Sequence, residues 1–275
     1  MEKSEGFGEE IIHIIPLGHE IDRATKLFEE KYKANKAYIL AVTETFRKYS
    51  QDMIDKQRYY VTVVKDKLEK FGITTEIRNV DMFKTLEVIR HISSIIAKEK
   101  AKNNRVFVNI SSAGRLAAAA ALLAAMAHKV KAYYVEADGY SENPEDKKEH
   151  GISICRKLKL EFIEGLPLQL PSDREMKVLT ELCRRKRPMK PIEIVEYLGS
   201  QKTPGFENCL DIASRRIARK DKAYVKRINY LMKLNKRILE KLETNGYIER
   251  ERVGTNNLVK ITEAGIFVAH FSGEL

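Results

Sequence analysis

The chain has 275 residues, 43% hydrophobic and 32% charged, which is enough to bury a core in one large domain or two ordinary ones. Its formal net charge of +11 is lopsided: residues 171–275 carry 22 Lys and Arg against 14 Asp and Glu, so the last third holds most of the excess. No run approaches the ~20 apolar residues that span a bilayer, and the acidic start lacks the basic flank of a signal peptide, so neither a membrane span nor a leader is expected.

Short apolar runs recur between helical stretches in the first 168 residues. Ile11–Ile15 is β-branched and ends at Pro16; Ala37–Val42, Ile73–Ile77, Val106–Ile110 and Ala132–Val135 follow. Such runs without alternation fit strands buried on both faces. Helical patterns lie between them, at roughly Glu20–Lys33, Gln51–Phe71, Met82–Lys102 and Gly114–His128. The β-α alternation predicts a Rossmann-like parallel sheet wrapped by helices, over residues 8–168. Leu116–Ala127 is nearly all Ala and Leu, which suits close packing between helices or against the sheet.

Ligands of such sheets bind beyond the carboxyl ends of the strands. The loops after the first and fourth runs therefore supply the candidate ligand residues: Pro16, Leu17, Gly18 and His19, then Ser111, Ser112, Ala113, Gly114 and Arg115. Small and hydroxyl residues let backbone approach a ligand, a helix start offers free N–H groups, and Arg115 adds positive charge, a combination suited to phosphate. There is no G-x-G-x-x-G and no G-x-x-x-x-G-K-[ST], which disfavours NAD binding and P-loop NTP hydrolysis. Cys155, Cys183 and Cys209 lie far apart with no C-x-x-C pair, and His128, His150 and His270 show no ligand spacing. No disulfide framework, metal or cofactor is expected, and a cytoplasmic protein with buried thiols is. His13, in a strand, and His91, on a helix, read as structural.

A linker at Gly165–Pro171 precedes the second unit, residues 171–275. Ser172 with Glu175 three residues later forms a capping box that opens a helix to about Lys186. Pro191–Leu198 is a short helix stopped by Gly199, and Cys209–Lys220 reads as a basic helix after the Pro204-Gly205 turn. Ala223–Asn245 is a long helix, with Ile228, Leu231, Met232, Ile238, Leu239 and Leu242 as its inward stripe and Lys226, Tyr230, Lys233, Arg237 and Lys241 opposite. A hairpin follows, Tyr247–Val253 and Leu258–Ile261, and Thr262 opens a last helix. This order predicts a winged helix-turn-helix domain. From Arg215 to Arg237 ten Lys or Arg face one acid, Asp221, which points to nucleic acid. The candidate DNA-binding residues are Lys226, Arg227, Tyr230, Lys233, Asn235, Lys236 and Arg237 on the long helix, with Asn235 and Arg237 reaching base edges, and Arg250, Arg252 and Asn256 on the wing.

Both halves together resemble archaeal transcriptional regulators that join a CARF (CRISPR-associated Rossmann fold) domain to a winged helix. The carriers are Ile12-His13-Ile14-Ile15-Pro16-Leu17-Gly18, Val108-Asn109-Ile110-Ser111-Ser112-Ala113-Gly114-Arg115, Leu242-Glu243-Thr244-Asn245-Gly246-Tyr247-Ile248 and Ile261-Thr262-Glu263-Ala264-Gly265. Gly114 stands where the family commonly has Thr. The resemblance implies a homodimer whose paired Rossmann-like domains form one pocket for a cyclic oligoadenylate of antiviral defence signalling, with DNA as the partner of the winged helices. A ligand-responsive DNA-binding transcriptional regulator is the leading expectation. Two alternatives remain. One is a metal-independent ring nuclease that cleaves the cyclic nucleotide, with Ser111, Ser112, Arg115 and His19 stabilising charge or moving protons. The other is a DNA-organising protein without a ligand.

Overall fold

The structure, a computed structural model, describes residues 9–44, 49–164, 168–209, 222–254 and 256–275. The chain divides into two units, Met1–Leu168 and Gln169–Leu275.

The first unit alternates β1 (Ile11–Pro16), α1 (Asp22–Glu29), β2 (Lys36–Ala41), α2 (Gln51–Lys70), β3 (Thr74–Asn79), α3 (Thr85–Lys100), β4 (Arg105–Asn109), α4 (Arg115–Ala127) and β5 (Lys131–Val135). A short hairpin of β6 (Gly139–Tyr140) and β7 (Ser153–Ile154) encloses α5 (Pro144–His150), and β8 (Leu160–Ile163) ends the unit. The six-stranded sheet runs in the order β3-β2-β1-β4-β5-β8. Neighbours are parallel except β8, which lies antiparallel on β5. The sheet is therefore mostly parallel. The added edge strand was not expected, because Leu160-Glu161-Phe162-Ile163 is too short and mixed to stand out.

Ile12, Ile14, Ile15 and Ala37–Ala41 are fully buried, which explains why these runs do not alternate. His13 shares that interior: its Nδ1 lies 3.1 Å from the Tyr133 hydroxyl, and its ring stacks on Phe107. Burial pushes the His13 imidazole down to about 3, so it is neutral. Ala117, Ala120, Ala121 and Ala124 put a small-residue stripe of α4 inward, and α3 packs close to α4. The first helix is shorter than its pattern suggests, ending at Glu29 before Lys31 turns to φ 63°.

The second unit opens with α6 (Asp173–Arg185), whose capping box is present: the Ser172 amide donates to Glu175 Oε2 at 2.8 Å. Met189 then bridges to Val259, and α7 (Pro191–Ser200) follows. The basic helix expected over Cys209–Lys220 lies outside the described residues beyond Cys209, whose buried thiol donates to the Val195 carbonyl at 3.1 Å. Next, α8 (Lys222–Leu234) runs through a π turn at Asn235–Leu239 into α9 (Glu240–Thr244). The strands β9 (Ile248–Val253) and β10 (Asn256–Ile261) form the antiparallel hairpin, and α10 (Glu263–Ala269) is capped by the Thr262 side chain.

The expected inward stripe of the long helix needs correction. Leu234, Ile238, Leu239 and Leu242 are buried and Leu231 packs against them, but Ile228 and Met232 stand outside. The π turn inserts a residue into the helical repeat. The inward face consequently runs through Tyr230, Leu231 and Leu234 and resumes at Ile238.

Candidate ligand site and nucleic-acid interface

In the first unit the strand order reverses between β1 and β4: β2 and β3 lie on one side, β5 and β8 on the other. A crevice at that reversal, beyond the carboxyl ends, is where sheets of this kind hold ligands. The loops leaving β1 and β4 meet there. The Gly18 amide donates to the Ser112 carbonyl at 2.7 Å. A Cβ on Gly18 would sit 3.3 Å from that same oxygen, so the contact suits glycine.

The two serine hydroxyls are used within the loops. Ser112 Oγ donates to the Pro16 carbonyl at 2.9 Å, and Ser111 Oγ to Asn109 Oδ1 at 2.7 Å; both serines are buried. They hold the backbone rather than face a ligand. Pro16 and Leu17 are buried too, whereas Gly18, His19 and Ala113 are half-buried. Gly114 and Arg115 are exposed at the start of α4, where no side chain caps the helix. Uncapped amides beside a guanidinium attract an anion.

Several supporting residues carried no sequence signal. Gln57 of α2 reaches across and donates its amide Nε2 to both the Leu17 and Gly18 carbonyls at 3.1 Å. On the other side, Glu20 pairs with Gly151, the Ile152 amide donates to the His19 carbonyl at 2.8 Å, and the Glu20 carboxylate accepts from Ser153 N–H and Oγ–H at 3.0 and 2.8 Å. Gly151 has φ 86°, and a Cβ there would overlap the His19–Ile21 backbone. Burial raises the Glu20 carboxyl, opposed by the Ser153 hydrogen bonds. Arg23 donates to the Ser111 carbonyl at 3.4 Å and lies over the Tyr134 ring. Each of these contacts joins residues far apart in the chain, so no spacing marks it. His19 stacks on Tyr60 at 4.7 Å between centroids; burial, and then the Lys56 charge, lower its imidazole and favour its neutral form. A neutral imidazole can exchange a proton, but the serine hydroxyls are committed elsewhere. Cavities of about 520 and 630 Å³ open near the amino ends of the strands, away from this crevice.

In the second unit the expected DNA-binding residues separate into two groups. Lys226, Lys236, Arg237 and Arg252 are exposed. Tyr230 instead packs against Phe206, 6.1 Å between centroids, and Lys233 Nζ donates to the Gly205 carbonyl at 2.8 Å and sits over the Phe206 ring. That pair fastens the Thr203–Cys209 segment to α8. Arg227 is half-buried. Arg250 joins wing to helix: Nη1 donates to Asn235 Oδ1 at 2.5 Å and Nε to Glu243 Oε2 at 2.8 Å. A cavity of about 440 Å³ lies beside this link, lined by Leu231, Asn235, Arg250, Arg252 and Leu258. The Asn256 side chain lies outside the described residues.

Residues 11–140 match the family model described as "HFX_2341_N:-like, N-terminal", and residues 174–273 match "DUF6293 C-terminal winged helix domain". No curated protein matches the chain. Among solved structures, a protein of Vibrio cholerae, VC1899, is similar with 14% identity and a TM-score of 0.39, over 95% of this chain and 65% of that one. Csm6 of Enterococcus italicus, bound to cyclic hexa-2'-fluoro-hexa-dAMP, has 16% identity and a TM-score of 0.41, over 84% and 55%. Can2 of Sulfobacillus thermosulfidooxidans, in complex with cyclic tetra-adenylate, has 11% identity and a TM-score of 0.37, over 94% and 61%. The chain spans less than two thirds of the length of each of these solved chains.

Proposed function

For a chain that joins an HFX_2341_N:-like, CARF-type Rossmann domain to a DUF6293 winged helix domain, we propose the role of a dimeric DNA-binding regulator that responds to a cyclic oligonucleotide. One observation carries the reading. From Lys222 to Leu239 the helix before the wing has six Lys or Arg and no acid, within a winged helix domain. Such a helix, beside a wing that exposes Arg252, suits the phosphates that flank a major groove.

The first unit supplies the sensing half of the proposal. Gly114, Arg115 and the uncapped start of α4 face outward at the β1–β4 reversal, on loops braced by Gln57 and Glu20. An anionic ligand of two-fold symmetry fits two such half-sites in a two-fold dimer. Any coupling between the sites is reciprocal: a ligand that tightens DNA binding is itself bound more tightly on DNA. Fluorescence anisotropy with duplex from upstream of the gene tests the reading at two salt concentrations, with and without cyclic tetra-adenylate. The expected result is binding that falls steeply with salt and shifts with the nucleotide. Absence of binding to any duplex at low salt overturns it.

A further inference from the structure

Three large apolar side chains of α8 stand in solvent. Val225 is 57% exposed, Ile228 37% and Met232 52%. They are the only exposed large hydrophobics among the described residues of the second unit. Their i, i+3, i+7 spacing puts them on one helix face, and exposed Asn229 shares it. This face is distinct from the inward side that holds Tyr230, Lys233 and Leu234. Exposed Lys226, Lys236 and Arg237 lie around it.

The charge around the face decides what covers it. With exposed Lys226, Lys236 and Arg237 around the face and no acid from Lys222 to Leu239, two copies of this face against each other would set like charges together. The occupant must be anionic around its margin and apolar at points within. A DNA major groove has both properties: phosphates along its walls, and a C5-methyl group on every thymine. We infer that α8 enters the major groove with Ile228, Met232 and Val225 packed on thymine methyl groups, while Asn229 pairs with N6 and N7 of an adenine. The protein would thus read A·T pairs at the centre of each half-site. The inference rests on the DNA-binding reading above, and assigns specificity to residues other than the cations that supply affinity.

The test uses the full-length protein. A pool of randomised duplexes is selected for binding, and the best duplex is remade with deoxyuridine replacing thymine at one position at a time, which removes only the methyl group. Wild-type protein should lose about fourfold in affinity at each contacted thymine. The double variant Ile228→Ser/Met232→Gln should lose the thymine–uracil difference at the positions those two side chains contact and keep it where Val225 packs, with the salt dependence of wild type. Equal wild-type affinity for thymine and uracil duplexes overturns the inference and leaves the DNA-binding reading standing. Recovery of no duplex from the pool overturns both. A double variant that becomes monomeric in sedimentation and loses both duplexes equally assigns the face to a second copy, and also overturns the inference.

Discussion

The Gly18 amide and the Ser112 carbonyl meet at 2.7 Å, and that single bond ties the β1 exit to the β4 exit across the reversal of the sheet. Ser112 Oγ returns the tie through the Pro16 carbonyl, so each loop holds the other. Rigid loops place the exposed start of α4 at a fixed position.

The close approach makes the two glycines of the crevice unequal. Gly18→Val should cost about 1–3 kcal/mol, because its Cβ meets backbone that cannot swing away. At Gly114 nothing lies within 4 Å of a Cβ, so Gly114→Ala should stay within about 0.5 kcal/mol of wild type. Urea denaturation of the two variants checks the contrast.

Arg115→Ala should weaken cyclic tetra-adenylate roughly tenfold to a hundredfold, the effect of one charge-assisted hydrogen bond. Binding of DNA without the nucleotide should be unchanged, since Arg115 lies in the first unit. Calorimetry for the nucleotide and anisotropy for DNA separate the two.

Lys233 and its neighbours divide stability from affinity. Lys233→Met removes the Gly205 hydrogen bond and the Phe206 ring contact and should lower stability by about 1–2 kcal/mol, with the salt dependence of DNA binding unchanged. Lys236→Ala and Arg237→Ala, both on exposed side chains, should each reduce the slope of log K against log salt by about 0.9. Thermal melts and salt titrations of the three variants check this.

Neutral His13 gives the protein an acid-sensitive core. Its folded value, lowered by burial to about 3, lies below the 6.5 of an ordinary histidine, so at low pH the unfolded chain takes up a proton that the folded chain refuses. The contribution is nil well above pH 6.5. As pH falls from 6.5 towards 3, this group should remove about 1.4 kcal/mol of stability per pH unit. His13→Gln should flatten the slope by that amount even if it is less stable throughout, as urea midpoints at pH 7, 6 and 5 would reveal.

Local composition was enough to read the alternation of the first unit. Ile11–Ile15, Ala37–Val42 and Val106–Ile110 are continuous because both faces of those strands are covered, and a doubly buried strand is nearly pure apolar chain. The capping box at Ser172 and the hairpin around Gly254 were equally visible, since caps and turns depend on residues a few positions apart. The acid-free stretch of α8 is a plain property of the sequence.

What only tertiary structure decided is direction. Ser111 and Ser112 are the hydroxyl residues a phosphate site calls for, yet their oxygens turn inward because Asn109 and the Pro16 carbonyl accept them. Gln57, Glu20 and Gly151 support the same loops from up to 133 residues away, as the Glu20–Ser153 pair illustrates. A π turn rotated the inward face of the long helix, burying Leu234 and releasing Met232, and the Phe206 segment drew Lys233 aside. Sequence periodicity reports which residues share a face, whereas the partner across the fold settles where that face points, and the partner is distant in the chain.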